Sequence, residues 1–116
     1  MIFNSEFKNK IVIVTVNLKR ATNTVAEEFK SNFLKNIKNE NKRYLIDLSR
    51  CEYMDSSFLG SIIFIYKKVS ESEGELKLVA PNQDIKILLE ITSVNKFVNV
   101  YETKTAAIKS FNKKVS

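Results

Sequence analysis

A strand that runs through a short turn into a helix, between residues 44 and 60, constrains the fold of this chain more than any other feature. Residues 44–48 form an apolar run that predicts a strand, and Asp55 and Ser56 open a segment whose apolar residues recur at helical spacing. The first amide groups of a helix lack intrahelical partners and carry the positive end of the helix dipole, which stabilises an anion there by roughly 0.3–1 kcal/mol. Ser56 is therefore a candidate site for a phosphate-based switch.

The periodicity of the rest of the chain predicts strands that alternate with helices. The segment from Thr24 to Glu27 fits a capping box, which would start the first helix there. Such alternation implies right-handed crossovers between parallel strands. We expect one α/β domain over residues 1–116, a sandwich in which a central mixed sheet has parallel core strands, helices on one side and an N-terminal β-hairpin. The predicted strands are 2–7, 11–16, 43–48, 75–80 and 97–101, and the predicted helices are 24–41, 56–72, 85–92 and 103–113.

Composition removes most classes of enzyme. The chain has 116 residues and no His, and Cys51 is its only cysteine, so the common zinc sites and the Ser-His and Cys-His nucleophile pairs cannot be built. Gly60 and Gly74 are the only glycines, which excludes a glycine-rich phosphate loop. We therefore expect no enzyme activity, no cofactor and no metal site. Cys51 itself is interpreted as a small buried hydrophobe and not as a redox sensor.

The ends and the hydropathy of the chain favour a cytoplasmic protein. No apolar run approaches the roughly 18–20 residues that span a membrane, and residues 1–7 lack the layout of a signal peptide. The formal net charge of +6 would permit nucleic acid or an anionic surface as a partner. The basic residues are scattered and interleaved with acidic ones, so we expect neither a nucleic acid nor a membrane to bind directly. Binding to either remains the less favoured alternative, and an acidic protein partner is compatible with the charge.

The helix that follows Asp55 has two distinct faces. At about 100° per residue, one broad apolar arc should face the sheet, with Phe58 at its margin. Phe64 falls nearly opposite the centre of this arc, on the side of Ser57 and Gly60, and an exposed ring beside small residues is typical of a protein-contact surface. The alternatives are an isolated exposed ring or one covered by a neighbouring loop. The arc comprises Leu59, Ile62, Ile63, Tyr66 and Val69.

Several motifs also occur in a characteristic order. A hairpin, a helix and a strand precede Asp55-Ser56-Ser57, which is followed by Leu59-Gly60 and then by the segments 74–79 and 87–92. In this order the chain resembles, over nearly its whole length, the STAS domain of bacterial anti-sigma factor antagonists. The turn motif between this strand and this helix is the most specific part of the resemblance, and residues 22–29 match a looser pattern.

The resemblance implies a partner switch. An unphosphorylated family member binds an anti-sigma factor that is also a serine kinase, and so releases the sigma factor. The kinase inactivates the antagonist by phosphorylating the first serine after the aspartate, which is Ser56 in this chain, and a phosphatase acting on phosphorylated Ser56 is a further expected partner. The residues predicted to contact the anti-sigma factor are Thr22, Asn23, Asp55, Ser56, Ser57, Phe58, Gly60, Ser61 and Phe64.

Two positions depart from the family pattern. Phe58 occupies a place where the family usually has Gly, so a bulky ring is expected beside the acceptor serine, where it would obstruct or redirect a kinase. This keeps open the alternative of a STAS scaffold or signalling module that is never phosphorylated. Ser93 stands where the family tends to have Gly, which leaves the third helix without its preferred C-terminal residue. Ser56 and Ser57 also have a purely structural interpretation as N-cap residues.

Overall fold

Seven strands and four α-helices make up residues 2–38 and 40–112, the residues that the computed structural model describes. The strands are β1 Phe3–Lys8, β2 Ile11–Val16, β3 Arg20–Ala21, β4 Arg43–Asp47, β5 Tyr53–Met54, β6 Glu75–Val79 and β7 Asn99–Tyr101. The helices are α1 Asn23–Leu34, α2 Ser56–Glu71, α3 Gln83–Ile91 and α4 Lys104–Asn112, with a short 3-10 helix at Val94–Lys96.

Five of the strands form one mixed sheet in the order β1-β2-β4-β6-β7. Strand β1 pairs antiparallel with β2 as a hairpin, and the other three pairings are parallel. Strands β3 and β5 form a separate parallel pair. The predicted α/β class, with an N-terminal hairpin and parallel core strands, is confirmed. The extent of the domain over residues 1–116 stays a prediction.

Both faces of the large sheet are apolar because side chains alternate along each strand. On one face, Val14, Ile46 and Leu78 pack in a cluster with residues of α1, α2 and α3. On the other face, a second cluster includes Ala107 and Phe111 of α4. The prediction that helices cover one side therefore holds for the first three helices, whereas α4 covers the opposite side. The strand residues beneath α4 are Ile11, Ile13, Leu45 and Val79.

Helix α1 differs most from its predicted boundaries. It starts at Asn23, with Thr22 as an N-cap that makes no side-chain capping bond, so the predicted capping box does not form. It ends at Leu34 and not near residue 41. The Asn36 side chain donates to the Asn32 carbonyl at 3.3 Å and so takes an acceptor that a continuing helix would use. Residue 39 lies outside the described residues.

Helix α3 is followed by Ser93 at the position where the family tends to have glycine. Ser93 follows it in the left-handed region, at φ 65°, which is the conformation that glycine usually occupies after a helix. The 3-10 turn at Val94–Lys96 comes next, and it delays the last strand to Asn99 instead of Phe97. The predicted helix end at residue 113 lies outside the described residues. None of the described helices is long and apolar enough to cross a membrane.

Candidate partner-binding site at the start of helix α2

The small β3–β5 pair brings the starts of α1 and α2 together. Ala21 lies opposite Met54 in this pair, and the Asp55 amide donates to the Ala21 carbonyl at 3.1 Å. Strands β3 and β5 each lead, after one further residue, into a helix. Thr22 and Asn23 therefore lie beside Asp55, as the sequence analysis expected.

The Asp55 carboxylate caps both helices. Its Oδ1 accepts from the Phe58 amide at 2.9 Å, which closes the first turn of α2. Its Oδ2 accepts from the Asn23 amide at 2.8 Å, which satisfies the first residue of α1. Two helix N-termini thus share one negative charge, a favourable arrangement with both dipoles. The second bond spans 32 residues, and no local sequence pattern indicates it.

Ser56 and Ser57 are exposed at the first two positions of α2. Because Asp55 provides the N-cap, the purely structural interpretation of the two serines as capping residues is wrong. Among the described residues, no hydrogen bond from the Ser56 hydroxyl is found. A helix start with a free hydroxyl beside two converging dipoles is an accessible acceptor for a phosphoryl group.

Phe58 contradicts its predicted place on the surface. The ring has no solvent exposure and stacks on Phe29 of α1, with centroids 4.7 Å apart and planes 22° apart. Phe58 lies at the margin of the apolar arc of α2, and the close packing of α1 against α2 covers that margin. The predictions that this ring contacts a partner and that it obstructs a kinase at Ser56 are therefore both wrong.

Ser61 is also buried, contrary to its prediction as a contact residue. Only 5% of its surface is exposed, and its hydroxyl donates to the Ala26 carbonyl of α1 at 3.1 Å. A small residue at this position lets the two helices approach closely, and the hydroxyl satisfies a buried acceptor. Ser61 therefore stabilises the packing of α2 against α1 and is not available to contact a partner.

Phe64 has the predicted phase but is only half-exposed. The Lys30 ammonium of α1 lies 4.7 Å from the ring centroid, and the Lys68 ammonium lies 5.5 Å from it. These are cation–π distances, so two lysine side chains cover part of the ring. The prediction of an exposed ring is corrected to a half-exposed ring with two lysine ammonium groups over it.

The fold requires glycine at one of the two glycine positions and not at the other. A Cβ on Gly74 would lie 3.0 Å from Val69 Cγ1 and 3.2 Å from the Lys42 carbonyl oxygen, so the fold itself requires glycine there. A Cβ on Gly60 would meet nothing within 4 Å, and the residue is exposed in the middle of α2. Glycine inside a helix costs about 1 kcal/mol relative to alanine. Nothing within the described fold accounts for glycine at position 60.

Cys51 lies behind the site, in the turn between β4 and β5. The residue has no solvent exposure, and its Sγ donates to the Tyr53 carbonyl at 3.2 Å. Burial raises the pKa of the Cys51 thiol, which keeps the sulfur protonated and unreactive at neutral pH. The predicted burial of Cys51 is confirmed.

The predicted site residues thus separate into surface and core. Contact with a partner stays a prediction for the residues that reach the surface, and Phe58 and Ser61 leave the set because they are buried. The sequence analysis missed Arg20 and Tyr53, which stack beside the site with the guanidinium carbon 4.3 Å from the ring centroid. The surface set is Thr22, Asn23, Asp55, Ser56, Ser57, Gly60 and Phe64.

Comparison with known proteins assigns the fold to a family. The family model of the STAS domain matches residues 3–107. A Thermotoga maritima protein named as a candidate anti-sigma factor antagonist is 36% identical over 77 residues, which are 66% of this chain and 67% of that protein. An anti-sigma F factor antagonist of Paenibacillus polymyxa is 28% identical over 64 residues, or 55% of each chain.

Solved structures agree with this assignment. A crystal structure of a candidate anti-sigma factor antagonist from Thermotoga maritima has a TM-score of 0.87 to this chain at 28% identity. The match covers 96% of this chain and 95% of that chain. The unphosphorylated anti-sigma factor antagonist SpoIIAA has a TM-score of 0.75 at 15% identity, covers 97% of this chain and is itself covered to 99%. This second likeness concerns the fold alone. The chain belongs to the STAS domain family, and named relatives of it are anti-sigma factor antagonists.

Proposed function

We propose that this protein is an anti-sigma factor antagonist that is switched off by phosphorylation of Ser56. Unphosphorylated, it binds an anti-sigma factor that is also a serine kinase, in the cytoplasm, and so frees a sigma factor. The observation that carries the proposal is the exposed Ser56 hydroxyl at the start of α2, where Asp55 already provides the cap. A phosphatase acting on phosphorylated Ser56 would restore binding.

The switch follows from electrostatics. A phosphate adds about −1.5 to −2 charges at neutral pH. The helix dipole offsets part of this charge in the free protein, so the fold should survive. A docked partner would strip water from the phosphate beside the Asp55 carboxylate, and a buried charge without a partner costs several kcal/mol. Binding should therefore fail while folding does not.

Named relatives support the proposal. SpoIIAA, an anti-sigma factor antagonist with this fold, has a solved phosphorylated form, to which this chain has a TM-score of 0.72 at 15% identity. The alternative of a scaffold that is never phosphorylated depended on an obstructing ring at position 58. Because that ring is buried against Phe29, it leaves the approach to Ser56 open.

Mass spectrometry tests the proposal directly. We expect the wild type, incubated with ATP and an anti-sigma factor kinase of the same genome, to carry one phosphate on the peptide that contains Ser56. Ser56→Ala should remain unmodified under the same conditions. Phosphate on Ser57 alone would contradict the proposal, and so would the absence of phosphate when the kinases are active on another substrate. Either result would favour the alternative of a scaffold that is not switched at Ser56.

Gly60→Ala should raise stability and weaken binding. The added methyl group meets nothing within the protein, and alanine is favoured over glycine in a helix by about 1 kcal/mol, so the free energy of unfolding should rise by about that amount. If the partner packs closely on this face beside Ser56, the same methyl group should lower the affinity by roughly tenfold, or about 1.4 kcal/mol. Urea unfolding and calorimetric titration with the anti-sigma factor measure the two effects.

Ser70→Ala is the matched control for this change. Ser70 is exposed on the last turns of the same helix, away from Ser56, so its replacement should leave the affinity unchanged. If Gly60→Ala bound as tightly as the wild type, the face of α2 at position 60 would lie outside the interface.

A further inference from the structure

Three basic residues lie on or just before the paired strands β3 and β5, at the edge of the candidate site. Arg20 belongs to β3, Lys19 precedes it, and Arg50 lies in the turn that leads to β5. Lys19 and Arg50 line the same shallow hollow, and the amides of Glu52 and Tyr53 both donate to the Lys19 carbonyl, at 2.8 Å and 3.0 Å. These bonds join the two segments that carry Lys19, Arg20 and Arg50, three residues that we call the basic platform.

The Arg20 guanidinium is fixed in place by an aromatic ring. Arg20 lies directly opposite Tyr53 in the β3–β5 pair, and its guanidinium carbon is 4.3 Å from the centre of the Tyr53 ring. Both side chains are exposed, with 44% of Tyr53 accessible to solvent. Stacking holds the plane of the guanidinium and leaves its N–H groups free to bind a carboxylate in the bidentate geometry. Arginine and tyrosine are also the residue types that most often dominate binding energy.

These cations also lack carboxylate partners. Within the part of the chain that the structure describes, no ion pair involves Lys19, Arg20 or Arg50. Five other lysines of the described residues do have acidic partners, among them Lys30 with Glu27 and Lys68 with Glu71. Glu52 lines the same hollow as Lys19 and Arg50, and Asp84 lies at the start of α3 in a neighbouring hollow that Tyr53 also lines. The platform therefore keeps an excess of positive charge.

The platform is close enough to Ser56 for one partner to cover both. Ser56 follows Tyr53 by three residue steps, which span at most about 10 Å at 3.3 Å per step. A stable interface buries about 800 Å² on each partner, which easily includes both features. A nucleic acid would need a longer track of cations, whereas here the acidic Glu52 and Asp84 interrupt the track.

We propose that Lys19, Arg20 and Arg50 receive an acidic segment of the anti-sigma factor when it docks over Ser56. This inference rests on the proposed function, and it specifies that the partner surface is acidic where it meets these residues. The basic platform would steer the partner and set its orientation, and the surface of α2 from Ser56 to Phe64 would supply the contact that the phosphate disrupts. Charged groups at the rim of an interface act chiefly on the rate of association.

Charge reversal tests the inference. We expect Arg20→Glu/Arg50→Glu to lower the affinity for the purified anti-sigma factor kinase at least tenfold, mainly through a slower association rate, and to flatten its dependence on salt. Lys8→Glu/Lys109→Glu is the matched control, because it changes the net charge by the same amount. Lys8 lies opposite Ile11 in the β1–β2 hairpin, and Ile11 faces α4 across the sheet from α2. Lys109 lies on α4 itself, so both lysines are on the side of the sheet away from α2. This control should change the affinity less than twofold.

The outcomes separate this inference from the proposed function. If the wild type binds the kinase and both double variants bind equally well, the platform plays no part and the inference fails alone. If none of the genome's anti-sigma factor kinases binds the wild type, the proposed function fails and this inference fails with it. A fluorescent 20-base-pair DNA duplex serves as a second probe under the same conditions. Tight binding of that duplex, lost only in Arg20→Glu/Arg50→Glu, would overturn the inference in favour of nucleic acid.

Discussion

Ser56→Asp should fold like the wild type and yet lose at least a hundredfold in affinity for the anti-sigma factor. The new carboxylate lies at a helix start, where the dipole tolerates it in the free protein. When a partner covers it, the charge loses its water and finds the Asp55 carboxylate beside it, and such a buried charge costs several kcal/mol. Thermal unfolding and calorimetric titration of the same sample measure the two properties.

Two neutral replacements of Ser56 provide the controls. Asparagine has nearly the shape of aspartate and no charge, so Ser56→Asn should lose far less affinity than Ser56→Asp. Ser56→Ala should bind the anti-sigma factor and continue to bind it after incubation with kinase and ATP. Equal losses in the asparagine and aspartate variants would mean that shape, and not the sign of the charge, controls the interface.

Phe58→Ala should lower the free energy of unfolding by about 3–5 kcal/mol, which is typical of a buried Phe replaced by Ala. The ring is fully buried and stacks on Phe29, so its removal loses apolar contacts and leaves a cavity between α1 and α2. Urea unfolding measures the loss. It is a large part of the 5–15 kcal/mol that stabilises an ordinary domain.

A second replacement separates stability from binding. Phe58→Leu keeps most of the apolar volume, so this variant should remain folded and bind the anti-sigma factor as the wild type does. A cost below about 1 kcal/mol for Phe58→Ala would contradict the burial of the ring. A selective loss of binding in Phe58→Leu would return this residue to the partner surface.

The sequence predicted those elements whose side-chain periodicity is regular. Strands β2, β4 and β6 are buried β-branched and leucine-rich runs, and helix α2 has an apolar arc long enough to fix its phase. The exposure of Ser56 and Gly60 follows from that phase. Phe58 could not be assigned in this way, because a residue at the margin of the arc becomes buried or exposed according to where α1 packs.

The parts that escaped prediction depend on contacts between distant segments. Strands β3 and β5 have two residues each, too few to show any periodicity, and their pairing joins segments far apart in the chain. The predicted start of α1 is one residue late because the amide of Asn23 bonds to the carboxylate of Asp55, which is distant in the sequence. The stacking of Arg20 on Tyr53 depends on the same pairing. Local patterns contain no information on such contacts.

The double cap at Asp55 also affects how much freedom the surface loses on binding. One carboxylate holds the first turns of α1 and α2 together, so the spacing between Asn23 and Ser56 is set before any partner arrives. A preorganised surface loses little conformational entropy on association, which favours tight binding from a small contact area. It also means that a modification at Ser56 acts on a surface already fixed by Asp55, so the signal passes as a change in charge without any refolding of the domain.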